Sequence, residues 1–253
     1  MTGPGETHTE QNTGPDDFET HREAAYQRTL QLRNETWNRF GKLDDTVISF
    51  IINPGFMGGS MWPGIRQAYV ASRRSDAVLL ATDGLADPYT ESDAPRVNGH
   101  GVEYYAITTD PELVNYEIIT DLAGTWLYTL VSGMAELTCQ RPGVGEALDR
   151  FGTMSVELNP SAIPDEYRDT FVTSRGGVGA LINLTDESTV PAALDGPWST
   201  IRLVNLKLLT AAETDFIATG DPQRDIANRG ELVERLRRQG DLLVSSLRRP
   251  SVV

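Results

Sequence analysis

The stretch QAYVASRRSDAVLLATDGLADPY, from Gln67 to Tyr89, decides the fold. Two apolar runs lie on either side of Arg74-Ser75-Asp76, and this pattern predicts a β-hairpin that turns at those residues. The second run is almost wholly apolar, which is typical of a buried strand. It ends in Thr-Asp-Gly, and a second acid, Asp87, follows directly before a proline. These acids either close an ordinary turn or carry chemistry.

Outside the hairpin, the pattern predicts four helices, over 18–41, within 112–139, from Thr210 and over 221–240. It also predicts four strands, over 46–54, 102–109, 177–184 and 200–209. Because strands and helices do not alternate strictly, the order favours α+β over a doubly wound parallel fold. We therefore expect a mixed, mostly antiparallel sheet flanked by helices. Residues 18–253 are predicted to form a single domain, and the polar residues 1–17 to be disordered.

The composition of the chain argues against several classes of protein. The chain has 253 residues and a single cysteine, Cys139, so it forms no internal disulfide and a reducing compartment is expected. The polar, acidic start does not resemble a secretory signal, and no apolar run is long enough to span a membrane, so we expect a cytoplasmic protein without a membrane partner. The net charge of −14 argues against nucleic acid and suits a basic partner.

Four ionisable residues are candidates for chemistry: Asp83, Asp87, His100 and Glu103. In one interpretation, Asp83, Gly84 and Asp87 form a strand-ending turn in which the Asp side chains bond to the backbone. In the other, the carboxylates and His100 form an acid–base or metal cluster. The residues themselves leave both interpretations open, although the spacing required for an EF-hand is missing.

The loop GFMGGSMWPG, Gly55 to Gly64, is the candidate binding surface. Met and Trp side chains on a glycine-rich loop are typical of adaptable protein contacts. The alternative is that Trp62 fills the core and the glycines only turn the chain. The predicted binding residues are those of this loop and of the acidic segment after the hairpin: Phe56, Met57, Met61, Trp62, Asp87, Tyr89, Glu91 and Asp93.

Other motifs give no catalytic residue, metal site or cofactor. The glycines of RGGVGALI, Arg175 to Ile182, precede a predicted strand, whereas a nucleotide-binding glycine loop follows a strand and opens a helix. Cys139 has no histidine near it in sequence and is expected to be a small buried residue. We therefore predict that the chain uses no cofactor.

Several segments together resemble the suppressor of fused domain family, in particular its bacterial branch of immunity proteins. In chain order they are WPGIRQAYVASRRSDAVLLATDGLADPY, GHGVEYYAITTD, LAGTWLYTLVSGMAEL, AIPDEYRDTFVTSRGGVGALINL, IRLVNLKLLTAAETDFI and SSLRRPSVV. The resemblance runs from about Leu43 to Val253, and its most specific part is the Thr-Asp-Gly-Leu-Ala-Asp-Pro segment with the later Gly-x-Gly-x-Glu.

The resemblance implies a domain that works by binding proteins. Members of this size are regarded as immunity proteins that neutralise toxins, and the Asp-Gly-Leu-x-Asp-Pro turn of the family looks structural, with Glu103 facing it from the next strand. We therefore expect a non-enzymatic domain that binds and occludes a basic toxin. The alternatives are a biosynthetic enzyme with a pocket at Asp83, Asp87 and Glu103, and a regulatory scaffold that sequesters a cytoplasmic partner. The oligomeric state stays open.

Overall fold

A computed structural model describes residues 15–50, 52, 54–64, 66–89, 95–141, 143–240 and 242–253. The helices within these ranges are α1 (Pro15–Phe40), α2 (Pro111–Val114), α3 (Trp126–Gln140), α4 (Val144–Phe151), α5 (Asp165–Phe171), α6 (Ala211–Ile217) and α7 (Pro222–Gln239). The strands are β1 (Lys42–Leu43), β2 (Ile48–Ser49), β3 (Ala68–Arg73), β4 (Val78–Asp83), β5 (Val102–Thr108), β6 (Met154–Leu158), β7 (Val178–Ile182), β8 (Ala193–Asp195), β9 (Thr200–Leu208) and β10 (Val244–Ser245).

The strands form one mixed sheet in the order β1-β3-β4-β5-β9-β7-β6. Strand β2 pairs with β3, β8 with β9, and β10 with β5. Strand β5 runs parallel to β9 and β10, and the other pairings are antiparallel. The predicted α+β class, with a mostly antiparallel mixed sheet flanked by helices, is confirmed.

The predicted hairpin is formed by β3 and β4, with Arg73 opposite Val78 and a turn closed by Arg74 N–H donating to the Ala77 carbonyl at 3.0 Å. Every residue of β4 is buried, because helices cover both faces of the sheet. Val78 and Leu80 of β4 lie in the same apolar cluster as α3, and the alternate residues Leu79 and Ala81 lie in the cluster of α1 and α7. This two-sided burial explains why the strand is apolar from Val78 to Ala81.

Helix α1 places its buried face on the sheet through residues spaced three or four apart, as an amphipathic helix requires: Ala25, Thr29, Arg33, Thr36, Trp37 and Phe40. The Trp37 ring packs against Tyr105 of β5 at 5.8 Å between centroids. The helix begins at Pro15, ahead of the predicted domain boundary at Phe18. Residues 1–14 of the predicted disordered segment lie outside the described residues.

Two predicted elements differ from the structure. Of the strand expected over 46–54, the described residues form a strand at Ile48–Ser49 only, and a 3₁₀ turn lies at Pro54–Met57. The helix expected after Asp110 ends at Val114 and resumes as α3 at Trp126. Asp110 is not a side-chain cap, because its carboxylate accepts hydrogen bonds from Ser246 Oγ and from Leu247 N–H, the latter at 3.0 Å. This acid therefore fixes the C-terminal segment beside β5.

Among the described residues, no helix combines the length and the apolar composition needed to cross a membrane.

Candidate functional site

A buried cluster of ion pairs lies where β4 ends, and a residue from α1 stands at its centre. The guanidinium of Arg33 lies 2.9 Å from Asp83 Oδ1, 2.7 Å from Asp87 Oδ1 and 2.9 Å from Glu103 Oε1. All four side chains are at most 2% exposed. Helix α1, the end of β4 with its turn, and β5 thus converge on one cation.

Glu103 also organises the turn after β4. Its Oε1 accepts hydrogen bonds from the backbone N–H groups of Gly84 at 3.1 Å and Ala86 at 3.0 Å, and its Oε2 accepts one from Thr82 Oγ1 at 2.5 Å. Gly84 has φ +138°, and an added Cβ would lie 2.3 Å from the Arg66 carbonyl oxygen, so glycine is required here. The turn is thereby fixed by a glutamate on the neighbouring strand.

A second guanidinium, that of Arg66, pairs with the other oxygen of Asp83. Its Nε donates to Asp83 Oδ2 at 2.7 Å, and a second nitrogen of the same group also contacts Oδ2. Asp87 differs, because no described residue donates a hydrogen bond to its buried Oδ2 atom. Two guanidinium groups therefore face three carboxylates, and one carboxylate oxygen has no partner among the residues described.

Burial and neighbouring charges act against each other on each pKa in this cluster, and the net result for Glu103, Asp87 and Arg33 is a raised pKa. Burial raises the pKa of Glu103 to about 7, although Arg33 and the hydrogen bond from Thr82 oppose the shift. Burial likewise raises the pKa of Asp87, against the opposing effect of Arg33. For Arg33 burial alone would lower the pKa, but the three carboxylates outweigh it and raise the pKa above its ordinary value.

This arrangement suits a structural role better than catalysis. The Arg33 guanidinium occupies the space between the three carboxylates, and within the described ranges no group of acidic, His or Cys side chains is arranged to hold a metal ion. Glu103 is completely buried, with both oxygens engaged by donors, so no substrate reaches it in this conformation. His100 lies in the turn before β5, and no contact within the described residues joins its side chain to these carboxylates.

The raised pKa of Glu103 predicts how stability depends on pH. Folded Glu103 holds a proton that the unfolded chain releases near its ordinary pKa of 4.5, so the free energy of unfolding falls as pH rises from 4.5 to about 7. The expected decrease from this group is about 3 kcal/mol. Urea unfolding at several pH values should show a shallower decrease for Glu103→Gln than for the wild type. Glu112→Gln, at an exposed site, should retain the wild-type slope; equal slopes for all three proteins would contradict the prediction.

Beside the cluster, the predicted binding loop exposes most of its apolar side chains. Phe56 and Met57 are each 78% exposed, Met61 is 64% exposed, and Tyr89 after the hairpin is 48% exposed. Trp62 is the exception at 3%, and its ring packs edge-on against Tyr69 of β3 at 5.6 Å. Trp62 thus belongs to the core, as one of the two sequence interpretations held.

A cleft of about 370 Å³ lies between this loop, the turn after β4 and the first part of α1. Its lining residues are Arg22, Glu23, Tyr26, Phe56, Met61, Trp62, Pro63, Gly64, Arg66, Asp87, Pro88 and Tyr89. We call the exposed side chains of Phe56, Met57, Met61 and Tyr89 the apolar rim. The structure therefore brings five of the predicted binding residues to one cleft, and two of these, Trp62 and Asp87, are buried at 3% and 2% exposure. Glu91 and Asp93 lie outside the described residues.

Sequence reasoning missed Arg33 and Arg66. Arg33 carried a signal, because it stands four residues after Thr29 and four before Trp37 on the buried face of α1. An arginine on a buried helix face requires an acidic partner, and the acids after β4 were the unexplained ones. Arg66 lies in a loop without periodicity, so nothing in the sequence assigned it to Asp83.

Scanning the chain against models of protein families found no match, and comparison with curated proteins found no matching relative. The resemblance to the suppressor of fused domain therefore stays a prediction.

Proposed function

We propose that this chain is a non-enzymatic protein-binding domain whose contact surface is the apolar rim. The observation that carries the proposal is the joint exposure of Phe56, Met61 and Tyr89 around one cleft, with Met57 exposed next to Phe56 in the same loop. Contiguous exposed apolar side chains are costly in water, and they mark interaction sites more often than isolated exposed residues do. Large aromatic and Met side chains are also the types enriched at the centre of interfaces.

The rim is attached to a firmly held part of the fold. Trp62 anchors the loop in the core, and Gly59 N–H donates to the Pro54 carbonyl at 2.9 Å across the loop. Tyr89 follows directly on the turn that Glu103 and Arg33 fix. A surface held in this way loses less conformational entropy on binding than a mobile one. The buried ion cluster therefore supports binding by positioning the rim.

The proposed partner is a basic protein. The chain carries a net charge of −14, which increases the association rate with a positively charged partner and disfavours acidic ones. The resemblance to the suppressor of fused domain adds the proposal that this partner is a toxin, and that the domain neutralises it by occlusion. A regulatory scaffold differs only in the identity of the partner.

Affinity capture with matched variants tests the proposal. The tagged wild-type chain should retain one stoichiometric protein from the lysate of its own host. The triple variant Phe56→Ser, Met57→Ser, Met61→Ser should lose that protein and unfold at the wild-type temperature, because the three side chains are exposed. Phe151→Ser is the matched control, since Phe151 is 55% exposed on α4, away from the rim.

Two results would contradict this proposal. One is retention of the same protein by the triple variant at wild-type yield. The other is a wild-type dimer by light scattering that the triple variant converts to a monomer, because the rim would then bind a second copy of the chain. Retention by Phe151→Ser is required for the loss in the triple variant to be assigned to the rim.

A further inference from the structure

We infer that the cleft inside the apolar rim accepts an arginine side chain of the partner, with Asp87 at its base as the counter-charge. The inference rests on the proposed function, which it deepens by naming the chemistry of the central contact. The proposed occupant is a guanidinium group presented by a protein, whose charge is complementary to that of the cleft.

The two carboxylate oxygens of Asp87 have different surroundings. Its Oδ1 faces inward to Arg33, at 2.7 Å. Its Oδ2 is buried next to Gly64, since a Cβ added to Gly64 would lie 3.5 Å from Oδ2, and Gly64 and Asp87 both line the cleft. The side chain is 2% exposed, and no described residue donates a hydrogen bond to Oδ2. A buried carboxylate oxygen without a donor is costly, and a donor that enters the cleft would remove that cost.

The carboxylates in and around the cleft outnumber the guanidinium groups. Arg33 and Arg66 oppose Asp83, Asp87 and Glu103, so the cluster carries a formal charge of −1 when all five groups are ionised. Arg66 also lines the cleft, but its charge is committed to Asp83. Two other charged residues line the cleft. Arg22 forms an ion pair with Glu19, whereas Glu23 accepts a hydrogen bond from the uncharged side chain of Gln27. When the ion-pair partners of the lining residues are included, five carboxylates (Glu19, Glu23, Asp83, Asp87 and Glu103) surround the cleft together with three guanidinium groups (Arg22, Arg33 and Arg66). Because the pKa of Glu103 is about 7, protonation of this residue reduces the excess of negative charge from two to one, and the remaining excess favours a cation.

The walls of the cleft favour arginine over lysine. Phe56, Tyr26 and Tyr89 place aromatic rings around the opening, and Met61 adds an apolar thioether. A guanidinium is planar and weakly hydrated, so it stacks on aromatic faces while its edge donates to a carboxylate. An ammonium group is more strongly hydrated and gains less from such walls.

The test uses two small probes on the intact chain, followed by nuclear magnetic resonance of the ¹⁵N-labelled protein. The probes are acetyl-Phe-Arg-amide and acetyl-Phe-citrulline-amide, which match in shape and differ in charge. The arginine probe should shift the backbone amides of Gly64, Asp87 and Tyr89 in a saturable manner. The citrulline probe should bind about tenfold more weakly, because it lacks the charge-assisted hydrogen bond.

Variants assign the effect to Asp87. In Asp87→Asn the two probes should bind equally, whereas Asp76→Asn, at an exposed site in the hairpin turn, should retain the difference. If Asp87→Asn does not fold, Phe56→Ala is the second variant, and it should weaken the arginine probe several-fold without unfolding the chain.

Equal binding of both probes to the wild type, or no saturable shift of these amides, would overturn the inference. The proposed function is tested separately by the triple rim variant. If that variant loses its partner while the probes do not differ, the rim binds a protein and only the arginine contact is wrong. If the variant also keeps its partner, the proposed function is wrong as well.

Discussion

Replacing Arg33 with methionine is expected to lower the free energy of unfolding by about 3 to 5 kcal/mol at neutral pH. The substitution leaves Asp83, Asp87 and Glu103 buried without their shared cation, and each is at most 2% exposed. Methionine fills much of the volume, so the loss reports on charge more than on packing. Urea unfolding followed by circular dichroism measures it.

The control for this prediction is Arg28→Met, because Arg28 is exposed on the same helix, and a change below about 0.5 kcal/mol is expected there. The deficit of Arg33→Met should also shrink as the pH is lowered, since protonation neutralises the carboxylates that have lost their partner. A loss below about 1 kcal/mol, or one that does not depend on pH, would show that Arg33 is not the structural centre of the cluster.

Trp62→Ala is expected to cost about 3 to 5 kcal/mol of stability, because it removes a large aromatic side chain from the core and leaves a cavity. The Trp62 ring is 3% exposed and packs edge-on against Tyr69, which in turn packs on Tyr128 of α3 at 4.9 Å. The binding loop would lose its anchor, so partner binding should weaken as a consequence of destabilisation. Thermal and urea unfolding measure the effect.

Phe56→Ala separates anchoring from binding. Phe56 belongs to the same loop and is 78% exposed, so this variant should keep the wild-type stability and lose affinity for the partner. A stable Trp62→Ala protein with lost affinity would contradict the account, because it would assign Trp62 to the contact surface instead of the core.

The predictions that held depend on local pattern. The hairpin of β3 and β4 followed from two apolar runs and a polar turn, and the helix predicted from Thr210 is present as α6, with Glu213 N–H donating to Thr210 Oγ1 at 3.2 Å. The hairpin and the helix each depend on a few neighbouring residues. The position of Glu103 opposite the turn of Asp83 also agrees with an expectation, but that expectation came from the resemblance, because the contact joins residues 17 to 21 positions apart.

The features that could not be predicted from the sequence depend on contacts between segments that are distant in the chain. Arg33 and Glu103 are 70 residues apart, and only the packing of α1 on the sheet brings them together. The same holds for Asp110, whose carboxylate accepts hydrogen bonds from Ser246 and Leu247 of the C-terminal segment. Trp62 had two readings because a glycine-rich loop shows no periodicity that would distinguish a buried from an exposed side chain.

The central claim is that the carboxylates hold the fold together while the apolar rim beside them binds a protein. The dissociation constant of the captured partner, measured by calorimetry with purified proteins, tests it most directly. The triple rim variant should bind at least about 100-fold more weakly than the wild type, whereas Phe151→Ser should bind equally well. Wild-type affinity in a folded triple variant would contradict the account.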